Sequence, residues 1–280
     1  VSTTIVTDST AYLPEGFAQR HGIRVVPLHV AVDGRSRLDG VDFGPAELAA
    51  ALGEHRRVTT SRPTPGELAG VYRSALEDGA EAIVSVHLSR ELSGTWEAAR
   101  LAAEEVDPTR IRVVDSRATG MGLGFAVLAA CAAAEDGARA ERAATGAAAR
   151  VKMFFCVETL DHLRRGGRIS PTAALLGTAL AVKPLLHVDD GRIVPLEKVR
   201  TTGRAIGRLV DLATTAAGSG PVGLAVHHLA APERAAELAT LLDERVPGST
   251  GCLISEVGAV IGAHTGPGVL GVVVLPGGVS

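Results

Sequence analysis

In the first half of the chain, short runs of β-branched residues alternate with longer stretches in which Ala and Leu recur at helical spacing. TTIVT at 3–7, IRVVPLHV at 23–30, AIVSVHL at 82–88 and IRVVD at 111–115 read as strands. The stretches 45–54, 65–78, 94–106 and 121–136 read as helices. That alternation predicts a mostly parallel sheet with flanking helices. From about residue 151 the order becomes strand, two helices, hairpin, helix, strand, helix, strand and a terminal strand, VLGVVVL at 269–275. The expected fold class is therefore α/β with two domains, an N-terminal α/β domain at 1–150 and a second α/β domain at 151–280. The Ala/Arg-rich stretch 132–150 before the boundary reads as a solvated helix rather than a linker.

Local punctuation sharpens several elements. Thr64-Pro65-Gly66-Glu67 is a capping box with proline at the first helical position, where its missing N–H is not needed. Ser170-Pro171 starts a further helix in the same way, just after Gly166-Gly167 ends the preceding one. PLLHVDDGRIVPLE at 184–197 predicts a hairpin turning on Asp190-Gly191.

Composition removes some classes of function. With 280 residues and 46% hydrophobic content, the chain is long enough to enclose a cavity as well as a core. A formal charge of −3 without a basic block argues against nucleic acid as a partner. Cys131, Cys156 and Cys252 stand far apart, with no metal-ligand spacing, which predicts no metal site and a reducing, cytoplasmic setting. No stretch reaches the roughly 18 to 20 apolar residues of a membrane span, and no secretory leader is read at the start. Aromatics are only 3% of the residues, so small aliphatics would line any cavity, as suits a flexible chain more than a flat ring.

Ligands of open parallel sheets bind beyond the carboxyl ends of the strands. The residues expected at that edge are Asp8-Ser9-Thr10, Thr59-Thr60-Ser61, Ser89 to Ser93-Gly94-Thr95, and Asp115-Ser116. Hydroxyls near helix N-termini, without lysine, suit a small anion such as a carboxylate. The plain alternative is helix capping, which already accounts for Thr64. Thr60 lies four residues before that cap and is free for a ligand, whereas Ser93 fits either role. His264, in HTGPG, sits beside a glycine-rich backbone that something can approach closely.

Other readings are weaker. Ser93 lies in ELSGTW rather than GxSxG, so a serine hydrolase built on Ser93 and His264 with Asp8 or Asp115 depends on the fold bringing them together. Gly120, Gly122 and Gly124 form GxGxG without the acidic partner of a dinucleotide loop, and read better as helix-packing glycines. No phosphate loop is present, which leaves a nucleotide-binding sensor as the weakest option. His87, His187, His227 and His228 lie in or at the ends of strands and read as structural. Arg164, Arg165 and Arg168 either meet a partner or complement a helix C-terminus.

Taken together, TDSTAYLP (7–14), TTSRPTPGE (59–67), LSGTW (92–96), VVDSRATGMGLG (113–124), TLDHLRRGGRIS (159–170), VKPLL (182–186) and GAVIGAHTGPGVLGV (258–272) resemble the DegV family in order and spacing. The resemblance spans essentially the whole chain. It implies a two-domain α/β fold with a long-chain fatty acid between the domains. It also implies a non-catalytic, cofactor-free subunit that presents the fatty acid carboxylate to a separate ATP-dependent fatty acid kinase and carries the acyl phosphate, a role compatible with transient contact at a membrane surface. By motif position the carboxylate ligands would be Thr60, Ser93 and His264, with Arg168 of RGGRIS near the head group or the kinase surface. Arg62 departs from the smaller or amide residue common there. The rival reading remains an esterase or thioesterase using Ser93 and His264.

Overall fold

The structure is a computed structural model that describes residues 2–170 and 182–279. Strands β1 (Thr3–Asp8), β2 (Arg24–Val26), β6 (Ala82–His87) and β7 (Ile111–Asp115) form a parallel sheet in the order β2-β1-β6-β7. This is the mostly parallel sheet with flanking helices that the alternating pattern predicts. Helices Pro65–Glu77 and Thr95–Val106 cover one face through Leu68, Tyr72, Ala98 and Ala102, which pack on Val6 and Ile83. Helices Met121–Ala132 and Gly137–Arg150 cover the other, with Leu123, Ala126 and Ala144 against Ile5, Val84 and Val86.

The apolar run 23–30 is not one strand. Pro27 has no N–H to give to a ladder, and the chain breaks there into β2 and β3 (His29–Val32). β3 joins a separate antiparallel sheet, β4-β3-β5, with β4 (Arg35–Leu38) and β5 (Val58–Ser61). Thr59, Thr60 and Ser61 therefore lie within β5 and not beyond a strand of the parallel sheet.

The second sheet has the order β10-β9-β8-β13-β11-β12, from β8 (Lys152–Cys156), β9 (Lys183–Asp189), β10 (Arg192–Val199), β11 (Val222–His228), β12 (Ser249–Glu256) and β13 (Leu270–Pro276). Only β11 and β12 run parallel within it. The β9–β10 hairpin turns on Asp190 and Gly191, whose φ values of 47° and 81° are those a two-residue mirror-image turn requires. Helices Thr202–Ala217 and Pro232–Arg245 cover one face. The other face meets helix Met121–Ala132, where Met121 and Phe125 pack on Ala225, Val273 and Leu275. That helix is buried nearly all round because both sheets lie against it, which accounts for a sequence without a polar face.

Two further sequence readings meet the structure here. The capping box at Thr64 is present, with Glu67 N–H donating to Thr64 Oγ1 at 3.2 Å and Thr64 N–H to the Glu67 carboxylate at 2.7 Å. The helix expected from Ser170-Pro171 falls outside the described residues. The apolar run before HTGPG contains a helix, Ala259–Thr265, that the sequence pattern did not separate from a strand.

Candidate ligand-binding site

Thr60 faces the interior from β5, opposite Val30 of β3. His264 sits in the last turn of helix Ala259–Thr265, and that helix is pinned at its start by distant residues. Asp39 accepts from the Ala259 N–H at 2.8 Å and from the Ser9 hydroxyl at 2.8 Å, while the Tyr12 hydroxyl oxygen accepts from the Ile261 N–H at 3.4 Å. Burial pushes Asp39 up to about 6 and Tyr12 well above the usual phenol range. At the other end Gly266, at φ 77°, lets the chain turn under the His162 ring, where a Cβ would lie 2.6 Å from His162 Cδ2.

So held, the His264 ring meets Thr60: Nε2 and Oγ1 are 2.8 Å apart. His264 Nδ1 is buried without a hydrogen-bond partner. It lies over Gly166, where a Cβ would fall 2.0 Å from Nδ1. Burial, and then the nearby charges of Arg168 and His162, push the imidazole down to about 4. The ring is therefore neutral at physiological pH, with one polar atom left over.

Ser93 precedes the helix Thr95–Val106, whose N-cap is Gly94. Its hydroxyl accepts from the Thr95 N–H at 3.3 Å and lies 2.9 Å from Thr95 Oγ1. Arg168 donates from Nε to the Leu92 carbonyl at 3.1 Å and from Nη1 to the Gly166 carbonyl, so its visible partners are carbonyl oxygens. Arg62 is exposed and reaches the Gly94 carbonyl at 3.4 Å.

Thr60, Ser93, Arg168 and His264 all line one cavity, with Arg62 among them. The cavity contains about 920 Å³ of empty space including its open mouth. Away from these groups its walls are mostly aliphatic and aromatic, drawn from both halves of the chain: Leu28 and Leu88 from the first, Leu163, Phe155, Val260 and Val269 from the second. Behind Thr60, Arg168 and His264 lies a second hollow lined also by Arg56, Arg57, His162 and Arg165, with no carboxylate on its wall among the described residues. Arg56 is paired with Asp33 at 2.7 Å.

Several of the hydroxyls expected at the sheet edge are engaged elsewhere. Ser9 binds Asp39, Thr10 binds Asp8, Ser89 donates to the Gly191 carbonyl at 2.8 Å, and Ser116 donates to the Ala118 carbonyl at 3.3 Å. A Ser-His-Asp chain does occur, but not at Ser93. His87 lies 2.7 Å from Ser85 and 3.0 Å from Asp8, all three at 0% exposure, so the chain ties β1 to β6 out of reach of any substrate. Ser93, by contrast, bonds to Thr95 and His264 to Thr60, with no carboxylate orienting the ring. That arrangement lacks the nucleophile–base–acid order of a hydrolase.

Gly120, Gly122 and Gly124 behave as packing glycines. Gly120, at φ 54°, lets the Met121 N–H donate to His227 Nε2 at 2.7 Å, and Gly122 lies under Met153 Sδ. With Nε2 accepting, His227 Nδ1 carries the proton and donates to the Ser255 carbonyl at 3.2 Å, while burial lowers its pKa to about 4. Its structural reading holds, although the ring also lines the cavity. Thr119, which the motifs did not single out, lines the cavity with a buried Oγ1 that has no protein partner. Among the described residues no His/Cys/Asp/Glu group could hold a metal ion, and no helix is long and apolar enough to cross a membrane.

Residues 2–277 match the DegV family, described as uncharacterised proteins. A DegV domain-containing protein of Streptomyces coelicolor is 56% identical over 273 residues, covering 96% of this chain and 97% of that protein. A solved DegV family protein of Thermus thermophilus, described as fatty acid binding, is 36% identical with a TM-score of 0.90 over 99% of this chain and 100% of that one. Bacillus subtilis DegV, described as a fatty acid binding protein, is 34% identical with a TM-score of 0.87 over 98% of both chains. On sequence match over nearly its full length, and on fold, the chain belongs to the DegV family.

Proposed function

We propose that this chain binds a long-chain fatty acid between its two halves, divided near residue 150, and presents the carboxylate to a separate ATP-dependent kinase, then carries the acyl phosphate. The observation that carries the first part is the Thr60–His264 pair, with Ser93 and Arg168, on the wall of a mostly apolar cavity. Solved relatives described as fatty acid binding support the same ligand class.

The energetics fit a carrier. At roughly 0.8 kcal/mol per buried CH₂, a long acyl chain contributes on the order of 10 kcal/mol of gross driving force. A buried carboxylate without partners would offset several kcal/mol of that. The Ser93 hydroxyl and one hydrogen from the Thr60–His264 pair, whose other hydrogen lies between them, offset that cost, with Arg168 near enough to line the same space. Chain burial then sets affinity and the polar group sets orientation.

The kinase step finds support in the second hollow. Thr60, Arg168 and His264 line both spaces, so a carboxylate held by them would face Arg56, Arg57 and Arg165 on its far side. That side suits an approaching phosphoryl group. The chain supplies no phosphate loop of its own, so the transfer chemistry belongs to the partner.

Mass spectrometry of the gently purified protein tests the ligand: intact fatty acid at up to one per chain is expected. An empty protein that hydrolyses acyl esters and loses that activity in Ser93→Ala would reverse the reading. For the second part, acyl phosphate should form only when this chain, ATP and the kinase are combined, and its formation without this chain would remove the carrier role.

A further inference from the structure

The far end of the apolar cavity has a thin wall. Met153 on β8 and Val188 on β9 line the cavity, and the same two residues line a separate hollow on the outside, of mixed character, with Lys152, Asp189 and Asp190 beside Ala148, Ala149 and Val151. β8 and β9 pair antiparallel, Phe155 with Leu186 and Phe154 with His187, so continuing that register puts Met153 opposite Val188. The wall is thus one cross-strand pair thick.

Met153 closes the gap between the second sheet and helix Met121–Ala132. Its Sδ lies so close to Gly122 that a Cβ on that residue would be 2.7 Å away, and it packs with Ala118 and Met121 in the cluster between sheet and helix. Methionine is the apolar side chain best able to change rotamer without leaving a rigid void, since it is unbranched with three rotatable side-chain bonds. A valine beside it offers no such freedom.

Resting on the fatty-acid reading above, we propose that Met153, backed by Val188, is the end-stop of the acyl site. It sets the longest chain the closed cavity accepts, and by swinging aside it joins the cavity to the outer hollow so that a longer chain can pass its terminal carbons through. That hollow is open, and its lining mixes Lys152, Asp189 and Asp190 with Ala148, Ala149 and Val151, so an emerging methyl end stays partly in water and the affinity increase per carbon should fall off at this point.

Each methylene buried in the closed cavity raises affinity about fourfold. Delipidated protein is titrated with saturated fatty acids from dodecanoate to docosanoate, for the native chain, Met153→Ala and Met153→Phe. The native affinity is expected to climb and then level off. Met153→Ala should keep climbing for about two or three further carbons, on the order of tenfold or more tighter for the longest acids, whereas Met153→Phe levels off earlier. Dodecanoate should bind all three alike, which shows that the fold and head-group site are intact. Val188→Ala, expected to shift the plateau the same way, carries the test if Met153→Ala does not fold. Identical plateaus in native and alanine proteins that both bind dodecanoate would overturn the end-stop while leaving the fatty-acid reading in place. Failure of the native chain to bind any of the acids would remove both.

Discussion

Replacing Gly166 by alanine separates steric support of the site from backbone preference. Gly166 has φ −75° and ψ −11°, ordinary helical values that alanine adopts readily. On conformational grounds alone Gly→Ala there should stabilise the protein by roughly 0.5–1 kcal/mol. The added Cβ, however, would stand 2.0 Å from His264 Nδ1 and 2.7 Å from Cε1, at least about 0.3–1 Å inside the closest approach that real Cβ atoms make. The backbone carbonyl of His162 is 3.2 Å away on another side, so the methyl cannot easily shift instead. The ring must rotate, and the 2.8 Å contact with Thr60 is lost. Displacing the ring also takes the pair's donor away from the bound carboxylate, and a hydrogen bond to a charged group contributes about 1.5–3 kcal/mol, so binding of palmitate should weaken roughly ten- to a hundredfold. Methyl palmitate, which offers no carboxylate, should bind nearly as before. Competition against a fluorescent fatty acid measures both. Gly167→Ala is the contrasting control: nothing lies within 4 Å of its Cβ, but φ is 71°, so stability should fall by about 1 kcal/mol with little change in palmitate affinity. Unchanged palmitate binding by Gly166→Ala, with a raised melting temperature, would refute the claim that Gly166 holds His264 against Thr60.

The remaining predictions follow from the same contacts. His264 is pushed down to about 4 in the folded state, so the stability it carries is complete above the unfolded value near 6.5 and lost as pH falls to about 4, on the order of 3 kcal/mol. Asp39, raised to about 6, has the opposite slope over the lower part of that range, so the loss should be read as the difference between native and His264→Gln melting curves. A carboxylate bound beside the neutral ring should raise its pKa, so calorimetry near pH 6 should show proton uptake on palmitate binding, absent in His264→Gln. Asp39→Ala removes acceptors for the Ala259 N–H and the Ser9 hydroxyl; it should cost about 1–3 kcal/mol by denaturant titration and weaken palmitate binding. Gly120→Ala combines a left-handed φ of 54° with a Cβ 2.7 Å from His227 Nε2 and should destabilise by about 2 kcal/mol or more.

What the sequence made legible divides along physical lines. Elements whose signals are local emerged directly: the Thr64 cap, the turn at Asp190-Gly191, and the parallel strands with their helices. The small sheet was legible but unread, since Asp33-Gly34 has the same turn chemistry, with φ 50° and 83°, and Pro27 marks the break before it. The helix bearing His264 is a different matter. Its central Gly262 and its β-branched residues favour no helix, and it is held at its start by Asp39, 220 positions away. No window of sequence contains that contact. Thr60, Ser93 and His264 stood out as hydroxyls near helix starts and a histidine in a glycine-rich turn, motif resemblance gave them their role and added Arg168, and the fold brings all four to one cavity although the expected sheet edge is not where Thr60 lies. The arginine-lined hollow behind them has no sequence signal, because Arg56 and Arg57 come together with Arg165 only when β5 and the RGGRIS turn are set side by side.

The central claim is that an acyl chain fills the cavity with its carboxylate between Thr60, Ser93 and His264. Carbon-13 NMR of palmitate labelled at its carboxyl carbon tests this most directly, comparing the native chain with Thr60→Val and His264→Gln. The account predicts one slowly exchanging bound resonance in the native protein, distinct from free palmitate, that moves in each variant. A bound resonance identical in all three proteins would place the carboxylate elsewhere and contradict it.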